Sequence, residues 1–438
     1  MRRPASPVGC AARPHLDVLL PEVARRGFNP RRAFRLWYCP VPDSRSTHPY
    51  LILFALWLMM FSANSQLIVM VPLLPEIAEA LDVNTFWRGM LLTSYAVALG
   101  VSALATGPAS DRYGRRCILL AGTTLMAVTL ALHSAAADYE LLLSMRLLAG
   151  IGGGMLSGGS VAYVGDYFPY ERRGWANGWV MSGAAFGQVA GVPLGKVLGT
   201  SLGYRAPFLV FAITMGIAAV FIWRFVPQPD VDLDEQPLTF GRIVRKYRRI
   251  LRGAAVLSAV GAYFLMFLGF GLFASFLPTW LEGTVGVSSF EVALLFGIGG
   301  LANVLAAPSA GSVSDHVGRK PLIIVASTSM GVIVALAPYA IVGFASAAVL
   351  FFAALALNGM RISPLQSLLS ALAPTQRLGL LVGLAMSVGQ AGFGIGSFVA
   401  SSTYGAYGYA SNTAMGALAM FGMALLVWRG LPEPEIDA

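Results

Sequence analysis

After residue 49 the chain is a succession of apolar windows of roughly bilayer length, and this feature decides the solvent in which it folds. A hydrocarbon layer about 30 Å thick takes about 20 residues of α-helix. Twelve such windows can be marked, at 50–72, 87–108, 117–136, 140–165, 176–197, 206–226, 254–281, 289–310, 321–340, 345–367, 379–402 and 410–428. Every backbone polar group inside a bilayer must be satisfied by the segment itself or by a closed barrel. A barrel would read as short alternating segments, and the sequence has none. Composition agrees, with 56% apolar and 12% charged residues, against about 25% charged in soluble domains. The expected fold class is all-α, a polytopic membrane protein.

The basic residues orient the chain. With the N-terminus on the cytoplasmic side, the segments on that side are residues 1–49, the turns near 111–116, 166–174, 224–252, 316–320 and 375–378, and the C-terminus. They hold all but five of the 30 Lys and Arg residues. The five are Arg88, Lys196 and Arg205 near outer ends and Arg146 and Arg361 within spans. Basic residues remain on the cytoplasmic side of membranes, so both termini are expected in the cytoplasm, in the cell (inner) membrane. The pI near 9.6 then reflects contact with anionic lipid and not with nucleic acid. Residues 1–49 read as a solvated basic tail, residues 227–253 as a linker with an amphipathic helix carrying Ile243, Tyr247 and Ile250, and residues 431–438 as a short C-terminal segment. Cys10, Cys39 and Cys117 form neither a disulfide framework nor a metal-binding spacing.

The chain also repeats itself. "GPASDRYGRR" at 107–116 returns as "GSVSDHVGRK" at 311–320, aligning Gly107 with Gly311, Asp111 with Asp315, Gly114 with Gly318 and Arg115 with Arg319. Farther on, "GWVMSGAAFGQVAG" aligns with "GLAMSVGQAGFGIG", placing Gly187 with Gly392 and Gly191 with Gly396. A fixed register between two motifs marks a duplicated architecture, here residues 50–226 and 254–430. Two six-helix halves in parallel repeat place a binding site between them near the membrane midplane.

These paired turns, with "PLLPEIAEAL" after the first span, "RLLAGIGGG" in the fourth, "GVPLG" in the fifth and "YRAPF" opening the sixth, resemble the major facilitator superfamily over residues 50–430. Within it the chain looks most like the twelve-helix drug:proton antiporters. The resemblance implies twelve transmembrane helices in two pseudo-symmetric six-helix bundles, acting by alternating access without covalent chemistry. It implies a conformational latch of Gly107, Asp111, Arg112, Gly114, Arg115, Asp166, Gly311, Asp315, Gly318 and Arg319, with Asp111 at the start of the eleventh helix near Gly379 and Arg115 paired to Asp166. It also aligns Arg146 with an arginine associated with proton coupling; the competing reading is an arginine snorkelling to the interface.

Candidate cavity residues are Asn64, Gln66, Tyr95, Gln188, Tyr263, Phe267, Asn303, Asn358, Arg361 and Gln390, although mid-span amides serve equally as interhelical ties. Gly183, Gly187, Gly191, Pro193, Gly392 and Gly396 are hinge or packing candidates. No Asp or Glu falls deep in a span, and the fifth-helix motif departs from the antiporter form at Gln188, Val192 and Lys196. Neither a metal spacing nor a nucleotide loop is present, so no enzyme activity, metal or cofactor is expected. The expected function is secondary active transport, by monomers, of small hydrophobic or amphipathic compounds outward against protons. The alternative is a facilitator or symporter for a small polar nutrient or metabolite.

Overall fold

The computed structural model describes residues 48–229, 253–372 and 375–432 with scattered positions between 241 and 251. The basic tail, most of the linker and residues 433–438 lie outside the described residues. Among those described, eleven helices are long and apolar enough to cross a membrane. The other crossing, the fifth, is made of Tyr170–Phe186, a π turn Gly187–Gly191 and Val192–Leu202. The protein is a multi-pass membrane protein with twelve crossing segments in two six-helix halves.

In the first half the spans are Pro49–Val69, Thr85–Tyr113, Arg115–Ser134, Tyr139–Tyr167, the broken fifth span, and Arg205–Phe225. In the second they are Ala254–Val285, Ser289–Val317, Arg319–Ala340, Phe344–Ala371, Thr375–Tyr407 and Tyr409–Gly430. Several helices outrun their charge-free windows: span 2 continues from 108 to Tyr113 and span 8 from 310 to Val317. The windows sense the hydrocarbon layer, whereas helical hydrogen bonding continues into the polar layer beyond it.

One residue joins span 2 to span 3, and one joins span 8 to span 9. Gly114 adopts φ 94° and Gly318 φ 96°, a region that side-chain-bearing residues avoid and glycine enters freely. The repeated glycine is therefore a stereochemical requirement of the repeated turn. At the first turn Gln228, just past span 6, accepts from the Arg116 backbone N–H at 3.0 Å, and the buried Arg116 donates to the Trp223 carbonyl at 2.6 Å.

The fifth span breaks at Pro193. Proline lacks the N–H that would bond four residues back and its ring crowds that carbonyl, so the ladder shifts to a π register, with Val192 N–H bonding Gly187 O. The glycines just before it let span 5 lie directly on span 1. A Cβ on Gly187 would fall 2.7 Å from Phe61 O, and one on Gly191 would strike Ser65. The repeat does the same in the second half, where a Cβ on Gly392 would fall 2.5 Å from Phe264 O and one on Gly396 would strike Leu268 O. Gly183 meets the Trp57 backbone in the same seam. Without a hydrophobic driving force between helices in lipid, such close backbone approach is a main source of association. These glycines are packing residues of each half.

Candidate functional site

Three of the sequence candidates, from spans 1, 2 and 4, meet inside the first half. Arg146 is fully buried. Its Nη1 donates to Gln66 Oε1 at 3.0 Å and its Nε to the Leu91 carbonyl at 3.3 Å, while the guanidinium lies 4.5 Å from the Tyr95 ring centroid. Gln66 Nε2 in turn donates to Tyr95 Oη at 2.9 Å. Gln66 thus offers its carbonyl to the arginine and its amide N–H to the phenol, and the arginine face covers the ring, an arrangement worth about 2 kcal/mol or more when desolvated. The snorkelling reading of Arg146 is overturned. Among the described residues no carboxylate pairs with it, and its Nη2 has no hydrogen-bond partner. An unneutralised charge in such a place is costly, which makes the triad the most demanding polar feature of the first half. His133, which the sequence reading passed over, is also buried in this half, with Nδ1 against Thr129 O at 2.5 Å and its ring tilted by 37° against Phe208.

Arg361 is equally buried in the second half. Its Nη2 donates to Asn358 Oδ1 at 2.8 Å and its Nη1 faces Met420 Sδ at 2.7 Å. Arg361 and Asn358 therefore answer each other on span 10, against span 12.

The amides divide between packing and bundle contact. Asn64 donates to the Ala184 carbonyl at 2.6 Å, tying span 1 to span 5 within one half. Gln188 and Asn303 join the two halves, with Asn303 Nδ2 donating to Gln188 Oε1 at 3.1 Å. Beside them a Cβ on Gly297 would sit 3.0 Å from Pro193, and one on Gly300 3.0 Å from Gln188 O. Gln390 occupies the related place, its Cβ 3.8 Å from a Cβ built on Gly100 of span 2. Span 2 and span 11 also share the Thr93 hydroxyl donating to Gly394 O at 2.8 Å. Tyr263 is buried with its hydroxyl unpartnered, and Phe267 packs against Gly389.

At the arginine turns, Arg115 is a hub. Its Nε donates to Asp166 Oδ2 at 2.6 Å, its Nη2 lies 2.6 Å from Asp111 Oδ1, and its Nη1 bonds Ser110. The Arg115 to Asp166 contact is present as expected. Asp111 is held by Arg115 of its own turn; side-chain contacts at the start of span 11 near Gly379, and around Gly311 and Asp315, lie outside what is described. Gly107 has open space where a Cβ would stand.

At the opposite end stands a cluster that the sequence reading missed. Lys196, a lysine near an outer end by sequence, has no exposed surface. Its Nζ donates to Pro72 O at 2.7 Å and to Glu76 Oε1, and lies 2.8 Å from Glu282 Oε1. Glu76 is on a short helix, Leu74–Ala80, following span 1, and Glu282 is at the end of span 7. No carboxylate here is deep in a span, in keeping with the sequence, yet this lysine draws two of them from helix ends to a bundle junction. The signal available was Lys196 itself, a charge where the fifth-helix motif departs from the antiporter form.

Comparison with known proteins gives the same architecture a family. The Major Facilitator Superfamily profile matches residues 52–363 and 259–438. "Uncharacterized MFS-type transporter YwfA" of Bacillus subtilis is 27% identical over 393 residues, 88% of this chain and 94% of that one. "Multidrug resistance protein MdtG" of Yersinia enterocolitica is 24% identical over 280 residues, 62% of this chain and 67% of its own. Among solved structures, a D-xylose-proton symporter superposes with TM-score 0.71 at 18% identity, covering 89% of this chain and 99% of the symporter. The human organic anion transporter MFSD10 gives 0.69 at 17%, covering 86% and 99%. The likeness in sequence and the two-half helical fold converge: the chain belongs to the major facilitator superfamily of membrane transporters.

Proposed function

We propose that this transporter exports small hydrophobic or amphipathic compounds in exchange for protons, by alternating access, as a monomer in the cell (inner) membrane with both termini cytoplasmic. In this orientation the arginine turns face the cytoplasm and anionic lipid, and the Lys196 cluster faces outward. The observation that carries the reading is the Arg146, Gln66 and Tyr95 triad. A charge kept in the core of one bundle with an unbonded N–H and, among the described residues, no counter-ion responds to any change in hydration or charge as the bundles rock. The MdtG relatives support the substrate class, and the glycine seams give each bundle the rigidity that rocking requires. The latch of Asp111, Arg115 and Asp166 belongs to the cytoplasmic closure, with Gly311, Asp315, Gly318 and Arg319 as its second copy.

A facilitator or symporter for a small polar metabolite is the second reading, favoured by the Gln188 to Asn303 pair at the bundle junction, which offers hydrogen bonds to a polar solute. Growth assays separate the two. Expression in a strain stripped of its own exporters is expected to raise the concentrations of lipophilic cations and dyes needed to stop growth. Restored growth on a single polar carbon source, with no gain in resistance, would replace efflux by the second reading.

A further inference from the structure

We infer that Glu76, Lys196 and Glu282 form a proton-operated lock: closing this end of the molecule takes up one proton on the carboxylate pair, and opening it releases that proton. The inference rests on the alternating-access reading and adds to it a proton-binding site.

The lysine hydrogen-bonds Pro72 O and Glu76 and is ion-paired with Glu282. Two carboxylates share one ammonium, so the cluster carries one uncompensated negative charge, and Glu76 Oε2 is buried with no hydrogen-bond partner. Glu282 Oε1 is close to Lys196 but not aligned as its hydrogen-bond acceptor. Like charges sharing a buried site favour protonation of one of them. Burial pushes the Glu76 carboxyl above its ordinary range, opposed by Lys196.

The placement couples this charge to movement. Glu76 and Lys196 belong to the first half and Glu282 to the second. When the halves part, Glu76 keeps its lysine as a neutral pair and Glu282 returns to water. When they meet, the extra negative charge is largely withdrawn from water, and a proton from the outer solution converts one carboxylate to a carboxyl, taking the cluster from a net charge of minus one to zero. Closure is thus favoured in acid and lost as pH rises through the raised value.

Other ionisable groups on the surrounding elements are engaged elsewhere or face solvent. Arg88 donates to Val83 O and Arg205 to Ala136 O, Glu291 caps its own helix through Ser288, and the Tyr409 hydroxyl donates to Phe273 O. The Tyr404 hydroxyl bonds Thr284, the Tyr204 hydroxyl contacts Ala136 O at 3.4 Å, and Glu79 and Asp82 are exposed.

The test is the distance between spin labels at Ala80→Cys and Gly283→Cys, in full-length protein lacking Cys10, Cys39 and Cys117, in nanodiscs at pH 5.5 and 8.5 without substrate. The wild-type lock is expected to shift toward the short distance in acid, by up to about tenfold in population per pH unit, as one linked proton allows. Glu282→Gln and Glu76→Gln should abolish that shift, and Lys196→Met, leaving two carboxylates unpaired, should favour the long distance. An unchanged pH response in both Gln variants overturns the lock. So does a wild type that transports in vesicles while its distances ignore pH, a result that leaves alternating access standing; absence of transport in the same preparation would instead remove the reading on which the lock rests.

Discussion

Arg146→Ala is expected to cut concentrative transport by roughly tenfold to a hundredfold while leaving membrane insertion intact. The size follows from the contacts: hydrogen bonds to a charged group contribute about 1.5–3 kcal/mol each, and about 1.4 kcal/mol is a factor of ten. Truncation also strands Gln66 Oε1, whose partner in the structure is Arg146. Arg146→Lys should retain part of the activity, because an ammonium keeps the charge but lacks the planar fork that reaches Gln66 and the Leu91 carbonyl together. Proteoliposomes with an imposed pH gradient give the discriminating readout. Uphill accumulation should fall in the Ala variant, while downhill substrate exchange, which needs only rocking of the bundles, partly survives. Equal loss of both would mark Arg146 as a packing residue.

Arg115→Ala is expected to slow transport several-fold or more without unfolding the protein. Arg115 is 16% exposed, Asp111 44% and Asp166 27%, and ion pairs this accessible contribute only about 0–1 kcal/mol to stability. What the arginine supplies is geometry, since one guanidinium holds Ser110, Asp111 and Asp166 at once and so fixes the end of span 4 to the turn after span 2. Arg115→Lys should recover little, because a point charge does not span three acceptors. Asp111→Asn, removing one arm, should reduce transport more than Asp315→Asn, whose turn carries His316 where the first carries Arg112. Initial uptake rates at matched membrane levels check both series; normal rates in Arg115→Ala would remove the latch.

The spans and their duplication were legible because bilayer thickness, charge placement and register are properties of the sequence read one segment at a time. Residue types in the triad were legible too, Gln66 and Tyr95 as cavity candidates and Arg146 as a coupling candidate. That Gln66, Tyr95 and Arg146 share one place was not, since spans 1, 2 and 4 meet only through tertiary packing. The break in span 5 escaped detection for a related reason. Pro193 signals a disturbance, but whether the ladder kinks or shifts to a π turn depends on the glycine seam against span 1 and on span 8 closing over Val189 and Pro193. Lys196 was the instructive failure. Its position near a span end suggested an interfacial charge, and Glu76 and Glu282, distant in sequence and each near a helix end, gave no local sign of converging on it.

Proton-driven export is tested most directly in everted membrane vesicles containing the wild-type protein, with the lumen acidified by respiration. A lipophilic cationic dye should accumulate in the lumen, each addition of substrate should make the lumen measurably less acidic, and collapsing the pH gradient with nigericin should release the dye. Substrate movement that is indifferent to the pH gradient and leaves lumenal pH unchanged would contradict proton-coupled efflux.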